Sequence, residues 1–531
     1  MSGVGAGRSS MTGFESLDYT NRPNSQASES FSEEIGEETI MTSANGDLYI
    51  NGGWSEASGG GKFLVMNPAN GDVFREVADA TRADARVAIE AAQAAFPAWS
   101  GMNHAQRARI LHKAGDVLEA RAKEIQEVLI DEGGSWVGKS MFETGYASGV
   151  FRAAAAAAYQ VNGEILPSEH GKISLVMRVP LGVVAVISPW NFPMILSSRG
   201  FAPALAVGNC VVLKPSEETP VAGGLLFAEI LEEAGVPPGV FNVVTCSRDN
   251  VAEVGDELIS NPAVHGISFT GSTAVGRKIA AQAGGLLKKC CVELGGKDAL
   301  IVLEDADIEH AVNAATFGAF MHQGQICMSV ERIIVAQAIA DEFTEKLVAN
   351  TRKLKVGNPR EMANCIGPII NAKQLGKIRE QVDDAVAAGA EILCGGKSDG
   401  LFFEPTVLGN VTRQMRIFRE ETFGPVAPIL RAGSDDEAVE IANDSDYGLS
   451  AGIITRNEQR GLSIAQRLRT GMAHINDSSI NDEPHVPFGG IGASGVGRHG
   501  GKPGIDTFTE LRWITLERGG RHYPPPFLMN P

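Results

Sequence analysis

The chain has 531 residues, and 64 acidic against 46 basic side chains give a formal net charge of −18. That balance disfavours nucleic acid and anionic membrane surfaces as partners, and no apolar run is long enough to span a bilayer. Hydrophobic residues at 44% and charged residues at 21% suffice for a large core, and the length gives a soft prior of roughly three domains.

Residues 1–43, rich in Ser, Gly and Glu, are expected to form a disordered extension. They lack the apolar stretch of a signal peptide and the basic, acid-poor character of a transit peptide, so a cytoplasmic location is expected. From 46 onwards the pattern is globular. "LYINGGWSEASGGGKFLVMNPANGDVF" alternates short apolar runs with turn residues, as hairpins do. "TRADARVAIEAAQAAFPAW" has apolar residues at helical spacing and opens on Thr81 as N-cap. One helix is expected over 107–132. "FRAAAAAAYQVNG" reads as a helix stopped by Gly163.

The pattern then changes. "GVVAVISPWNFP", "CVVLKPSE", "VFNVV" and "HGISFTGS" are short, unalternating strands. Helices expected over 195–207, 221–234, 250–260 and 273–283 interleave with them. Such alternation predicts a parallel sheet covered on both faces, with a ligand at the carboxyl ends of its strands. "FTGSTAVG" is either a capped strand-to-helix turn or a helix N-terminus built for a phosphate. Lys214 and Glu217 at a neighbouring strand end sharpen the second option, because a carboxylate there can hold ribose hydroxyls. Glu293 closes an apolar strand before a Gly pair, where a partly buried carboxylate is costly unless paired or functional.

A helix over 308–321 leads into "HQGQICMS" (322–329), which carries Cys327. Seven widely scattered cysteines in so long a chain argue against a disulfide framework, and no spacing suits structural zinc. Cys327 is therefore a nucleophile or a small buried residue. "ERIIV" is expected to open a second α/β half, with the Gly- and Phe-containing loops "EETFGPVAPIL" and "PFGGIGASGVGRHGG" beyond it.

Several distant motifs, in order, resemble the aldehyde dehydrogenase superfamily over about 46–513. They are Pro189-Trp190-Asn191-Phe192-Pro193, Lys214-Pro215-Ser216-Glu217, Phe269-Thr270-Gly271-Ser272, Glu293-Leu294-Gly295-Gly296-Lys297, Gly324-Gln325-Ile326-Cys327, Glu421-Thr422-Phe423-Gly424-Pro425 and Pro487-Phe488-Gly489-Gly490. The resemblance implies Cys327 as nucleophile, Glu293 as general base, and the Asn191 amide with the Cys327 backbone N–H as oxyanion donors. It implies NAD as cofactor, with NADP possible. Lys214 and Glu217 would lie at the adenosine ribose, Gly271 and Ser272 at the pyrophosphate, and Glu421 and Phe423 at the nicotinamide end. Ile187, Ser188 and Trp190 would line the path between. No metal is implied.

The implied fold is α/β: a Rossmann-like NAD-binding domain (44–162 and 182–292) and an α/β catalytic domain (293–502). A small β flap for oligomerisation (163–181 and 503–517) and a C-terminal tail (518–531) complete it, and a homodimer or homotetramer is expected. His499 departs from the glutamate that many members carry after the Gly-Arg of this loop, which puts a proton relay there in doubt.

Local features look most like the benzaldehyde and vanillin dehydrogenase branch, so an aromatic aldehyde is the expected substrate. A broad-range aliphatic aldehyde or semialdehyde dehydrogenase is the runner-up. A silent binding or structural protein on the same fold is a third possibility, disfavoured by intact Cys327, Glu293 and Asn191. Phe192 and Phe488 are expected to line the substrate tunnel. Arg199, eight residues beyond Asn191 and hence on the same expected helix face, either makes a structural salt bridge or meets a ring substituent.

Overall fold

Short runs of buried, largely β-branched residues set the architecture. In a computed structural model that describes residues 46–521 apart from 170, together with residue 523, the strands Val183–Ile187, Cys210–Lys214, Phe241–Val243, Val264–Thr270 and Lys289–Glu293 pair in parallel. Every residue of Cys210–Lys214 is buried, as a strand covered on both faces requires. Val183–Ile187 lies between Cys210–Lys214 and Val264–Thr270, so the strand order reverses there: the chain builds outward first to one side of it and then to the other. A crevice opens at the carboxyl ends of such strands. The hairpin Leu48–Ile50/Gly53–Ser55 extends one edge of this eight-stranded sheet and Gly495–Val496 the other. Lys62–Met66 and Val73–Ala78 form a separate hairpin. The expected hairpins are therefore present. So is the expected N-cap, where Thr81 and Asp84 form a reciprocal capping box on Arg82–Gly101.

A second, seven-stranded sheet is centred on Asp298–Val302 and Val330–Ala336. "ERIIV" is thus its second strand in the chain, not its opening one. The preceding strand is missed because Glu293 and the Gly pair directly before it read as loop. A third sheet sets Ile173–Pro180 between Glu164–Leu166 and Thr509–Leu516, antiparallel throughout. The N-terminal extension and most of the C-terminal tail lie outside the described residues. Among the described residues no helix is long and apolar enough to cross a membrane.

Three helix expectations need correction. Residues 107–132 hold two helices, His104–Ala120 and Ala122–Gly133, broken at Arg121 with φ −94° and ψ 14°. Arg121 donates to Glu124 at 2.7 Å and pairs with Glu229, so a tertiary partner fixes the break. The Ala-rich helix starts at Val137 and ends at Ala157, ahead of Gly163. Gly163 serves instead for close approach, since a Cβ there would lie 2.6 Å from the Val176 carbonyl oxygen. The expected helix 221–234 opens with a wide turn, Val221–Leu225, before Leu226–Ala234. The buried Glu132 carboxylate accepts the N–H groups of Val221 and Ala222 at 2.7 and 2.8 Å.

Candidate active site

The cysteine loop is held in a conformation few sequences tolerate. His322, Gln323 and Gly324 have φ of +48°, +55° and +67°, three consecutive left-handed residues. At Gly324 a Cβ would lie 2.2 Å from the Gly424 carbonyl oxygen, so a side chain is excluded there. The loop is stitched from several sides. The Gln325 side chain accepts the Ile370 N–H at 3.0 Å, and Ser329 Oγ donates to the Gly324 carbonyl at 3.1 Å. Cys327 emerges partly exposed. Burial, then the Glu293 carboxylate, pushes its thiol well up.

Asn191 sits two residues before the helix Pro193–Ala206, not on it. Its Nδ2 donates to the Gln325 carbonyl at 3.0 Å, which ties it to the cysteine loop and leaves one amide N–H. Phe192, the N-cap, has no capping side chain. The cap comes from another helix: Glu143 accepts the Met194 N–H at 2.8 Å, paired in turn with the buried Lys139, whose Nζ stands 4.4 Å from the Phe192 ring centroid. Neither partner was identified from the sequence.

Glu293 ends the strand Lys289–Glu293 and is 3% exposed, with neither carboxylate oxygen hydrogen-bonded among the described residues. Burial, with Glu421 and Asp298 adding to it against Arg199, holds its carboxyl well above the usual range. Glu421 accepts the Gly296 N–H at 3.0 Å and is pushed up to about 7 by burial and Glu331. A Cβ on Gly295 would come 2.4 Å from a Glu421 oxygen, so the Gly pair makes room for that carboxylate. Trp190 and Phe423 meet edge to face at 5.5 Å.

Two cavities meet at Cys327 and Asn191. One, of about 160 Å³, brings together Trp190, Gly271, Ser272, Glu293, Glu421 and Phe423. Ser272 is the N-cap of the helix Thr273–Gly285, yet its side chain makes no capping bond. Val275 already donates to the Ser272 carbonyl at 3.1 Å, which leaves the first-turn N–H groups of Thr273 and Ala274 for solvent or an anion. This donor set fits the pyrophosphate and nicotinamide end of a dinucleotide. Ile187, Ser188, Lys214 and Glu217 line neither cavity. Ile187 and Lys214 end their strands, and Ser188 and Glu217 follow. Glu217 lies 3.7 Å from Lys214 and also pairs with Arg248 at 3.1 Å, a partner missed in the sequence.

The other cavity, of about 510 Å³, is walled by Trp136, Phe142, Tyr146, Phe192, Phe317 and Phe488. Arg199 and Asp482 also line it. The same-face argument for Arg199 fails, because Asn191 precedes the helix, but both residues reach this cavity. Arg199 is 4% exposed and makes the salt bridge, to Asp482 on a neighbouring loop. It donates to the Tyr146 hydroxyl at 2.7 Å and lies 4.3 Å over the Phe488 ring. His499 is buried behind Phe488, bonded to it backbone to backbone. Its ring meets Ser268 Oγ at 3.0 Å, and burial pushes it down to about 3.

Comparison with known proteins points to one family. The model of the aldehyde dehydrogenase family matches residues 54–514. A vanillin dehydrogenase of Pseudomonas fluorescens is 44% identical over 480 residues, 90% of this chain and 99% of that protein. A benzaldehyde dehydrogenase of Pseudomonas putida, whose name specifies NAD(+), is 44% identical over 473 residues, 89% of this chain and 96% of its own length. The crystal structure of a salicylaldehyde dehydrogenase from Pseudomonas putida G7, complexed with salicylaldehyde, superposes with a TM-score of 0.88 at 41% identity. It covers 90% of this chain and 99% of its own. An E. coli NADP dependent enzyme gives a TM-score of 0.86 at 37% identity, over 89% of this chain and 98% of its own. The chain belongs to the aldehyde dehydrogenase family and is an NAD(P)-dependent oxidoreductase acting on an aldehyde.

Proposed function

We propose that the chain oxidises an aromatic aldehyde of the benzaldehyde or vanillin kind to the carboxylic acid, through a thiohemiacetal and then a thioester on Cys327. The observation that carries this reading is the aromatic-walled cavity ending at Cys327 and Asn191, whose size suits a single ring. The names of the relatives support it.

Cys327 Sγ, as thiolate, bonds to the aldehyde carbon. The carbonyl oxygen becomes an oxyanion, which takes the remaining Asn191 N–H and the Cys327 backbone N–H. The nicotinamide cofactor, when bound, supplies a hydride acceptor. A thioester on Cys327 remains. Glu293 takes a proton from water, the hydroxide attacks the thioester carbon, and the acid leaves with Cys327 again a thiolate. Glu293 suits the role because a raised pKa makes its carboxylate a stronger base.

In this reading 44–162 with 182–292 carries the cofactor, and 293–502 carries the nucleophile. Lys214 and Glu217 face the adenosine ribose, where Glu217 favours NAD over NADP by like-charge repulsion of a 2′-phosphate. The pairing of Glu217 with Arg248 softens that preference. The sheet formed by 163–181 and 503–517 joins subunits into a dimer or tetramer.

The test is kcat/KM for benzaldehyde, vanillin, straight-chain aldehydes and semialdehydes, each with NAD and NADP. The aromatic reading expects benzaldehyde and vanillin to lead. A semialdehyde or straight-chain aldehyde in the lead would replace it with the broad-range reading. An absence of turnover with any aldehyde would favour a silent binding protein.

A further inference from the structure

We propose that Asp482 sets substrate preference by accepting a hydrogen bond from a ring hydroxyl, which makes hydroxylated benzaldehydes the preferred class. The inference rests on the aromatic-aldehyde reading above and narrows it.

Asp482 lines the apolar cavity shared with Cys327. Its side chain is 11% exposed. One oxygen, Oδ2, is taken by Arg199. The other, Oδ1, is buried and accepts no hydrogen bond among the described residues. Buried acceptors are rarely left in that state, because the lost hydration is not replaced. A carboxylate can only accept. The complement of Oδ1 is therefore a donor, brought in by whatever fills the cavity.

The surroundings specify which donor. Asp482 acts electrostatically on Arg199, Tyr146, Glu293 and His474; Asp477 also lines the cavity, but its oxygens accept from the Ser478 N–H at 2.7 Å and Asn481 Nδ2 at 2.9 Å. Arg199 matches the Asp482 charge, so the pair presents no net cation to an anionic substituent. Tyr146 accepts from Arg199 and its own O–H interacts with the Asp482 carboxylate, but no hydrogen bond reaches Oδ1 among the described residues. A phenolate or carboxylate on the ring would thus meet an unpartnered carboxylate oxygen. A neutral phenol O–H would meet an acceptor, with the guanidinium beside it and the rest of its ring against Phe192 and Phe488. A methoxy group accepts but does not donate and is one methyl larger, so the change in the hydroxy-to-methoxy ratio between wild type and variant reads the proposed bond.

The experiment measures kcat/KM for the 2-, 3- and 4-hydroxybenzaldehydes and their methoxy counterparts. It uses wild type and Arg199→Met/Asp482→Leu, which removes both charges together so that none is left buried alone. In wild type one hydroxy isomer should exceed its methoxy counterpart by about tenfold or more, the value of a hydrogen bond to a charged group. That ratio should collapse toward one in the double variant. A second arm needs no variant. As pH passes through ionisation of the phenol, wild-type kcat/KM for that isomer should fall relative to its methoxy counterpart. Equal hydroxy and methoxy values in wild type, a ratio unchanged by the double variant, or a relative rise on ionisation would each overturn the assignment. The last would mean that Arg199 captures the phenolate. Failure of the underlying reading looks different: wild type would prefer straight-chain aldehydes to every benzaldehyde.

Discussion

Cys327 and Glu293 share one electrostatic circumstance, and it has a measurable consequence. Burial pushes both groups up, and the carboxylates around them add to the effect. Each works in its deprotonated form. The active fraction is therefore lost as pH falls through the raised values, not through the ordinary glutamate value near 4.3. We predict that kcat is still rising above pH 7. A pH–rate profile already flat by about pH 5.5 would show that neither raised group limits turnover. At this scale the sequence was informative wherever a residue sits in a motif. Asn191, Glu293 and Cys327 were legible in that way: Asn191 and Cys327 lie where the two cavities meet, and Glu293 lines the smaller one. Asp482 and Tyr146 were not. They come from distant elements, and nothing local marks a carboxylate in a surface-like loop as the partner of Arg199. The same holds for Arg248, whose pairing with Glu217 depends on how two strand ends converge.

Whole elements were legible where burial is two-sided and apolar. The parallel strands announce themselves by unbroken runs such as "VVAVI" and "CVVL". The helix Val137–Ala157 was only half visible, because its N-terminal half buries Lys139 and Glu143 against Pro193–Ala206. Periodicity counts such residues as surface, yet here they pair in the core and cap another helix. That other helix is anchored further along by Phe201. Phe201 is fully buried and packs its ring against Phe227 at 5.0 Å and Phe241 at 4.8 Å. Phe201→Ala should lower stability by about 3–5 kcal/mol, the usual cost of an unfilled aromatic site. Chemical denaturation followed by tryptophan fluorescence would measure it. A loss under about 1 kcal/mol would mean that the site collapses around the gap.

At the scale of the molecule, the outer strand of the third sheet is left uncovered among the described residues. In Thr509–Leu516 every residue after the first is exposed, with Leu511 at 62% and Trp513 at 65%. An exposed apolar strand at a sheet edge invites pairing with another chain. We predict that wild type sediments as a dimer or tetramer and that Leu511→Glu, which places a charge in that contact, shifts it to a smaller species. A monomeric wild type, or a variant of unchanged size, would remove the sheet from any subunit contact. The α/β class was readable from the alternation of strands and helices. The third sheet was harder, because 163–181 and 503–517 lie far apart in the chain and meet only through pairing of Ile173–Pro180 with Thr509–Leu516.

The central claim is that oxidation passes through a covalent acyl group on Cys327 which Glu293 helps to clear. The most direct test mixes Glu293→Gln with NAD and benzaldehyde, then combines rapid-quench kinetics with intact-mass and peptide mass spectrometry. Hydrolysis should slow by about 10²–10⁴-fold, so one equivalent of reduced cofactor should form in a burst. A benzoyl group should be found on the peptide bearing Cys327, and Cys327→Ala should give neither signal while still binding NAD. Steady turnover near the wild-type rate with no acyl group on that peptide, or residual oxidation above a few per cent in Cys327→Ala, would contradict the account.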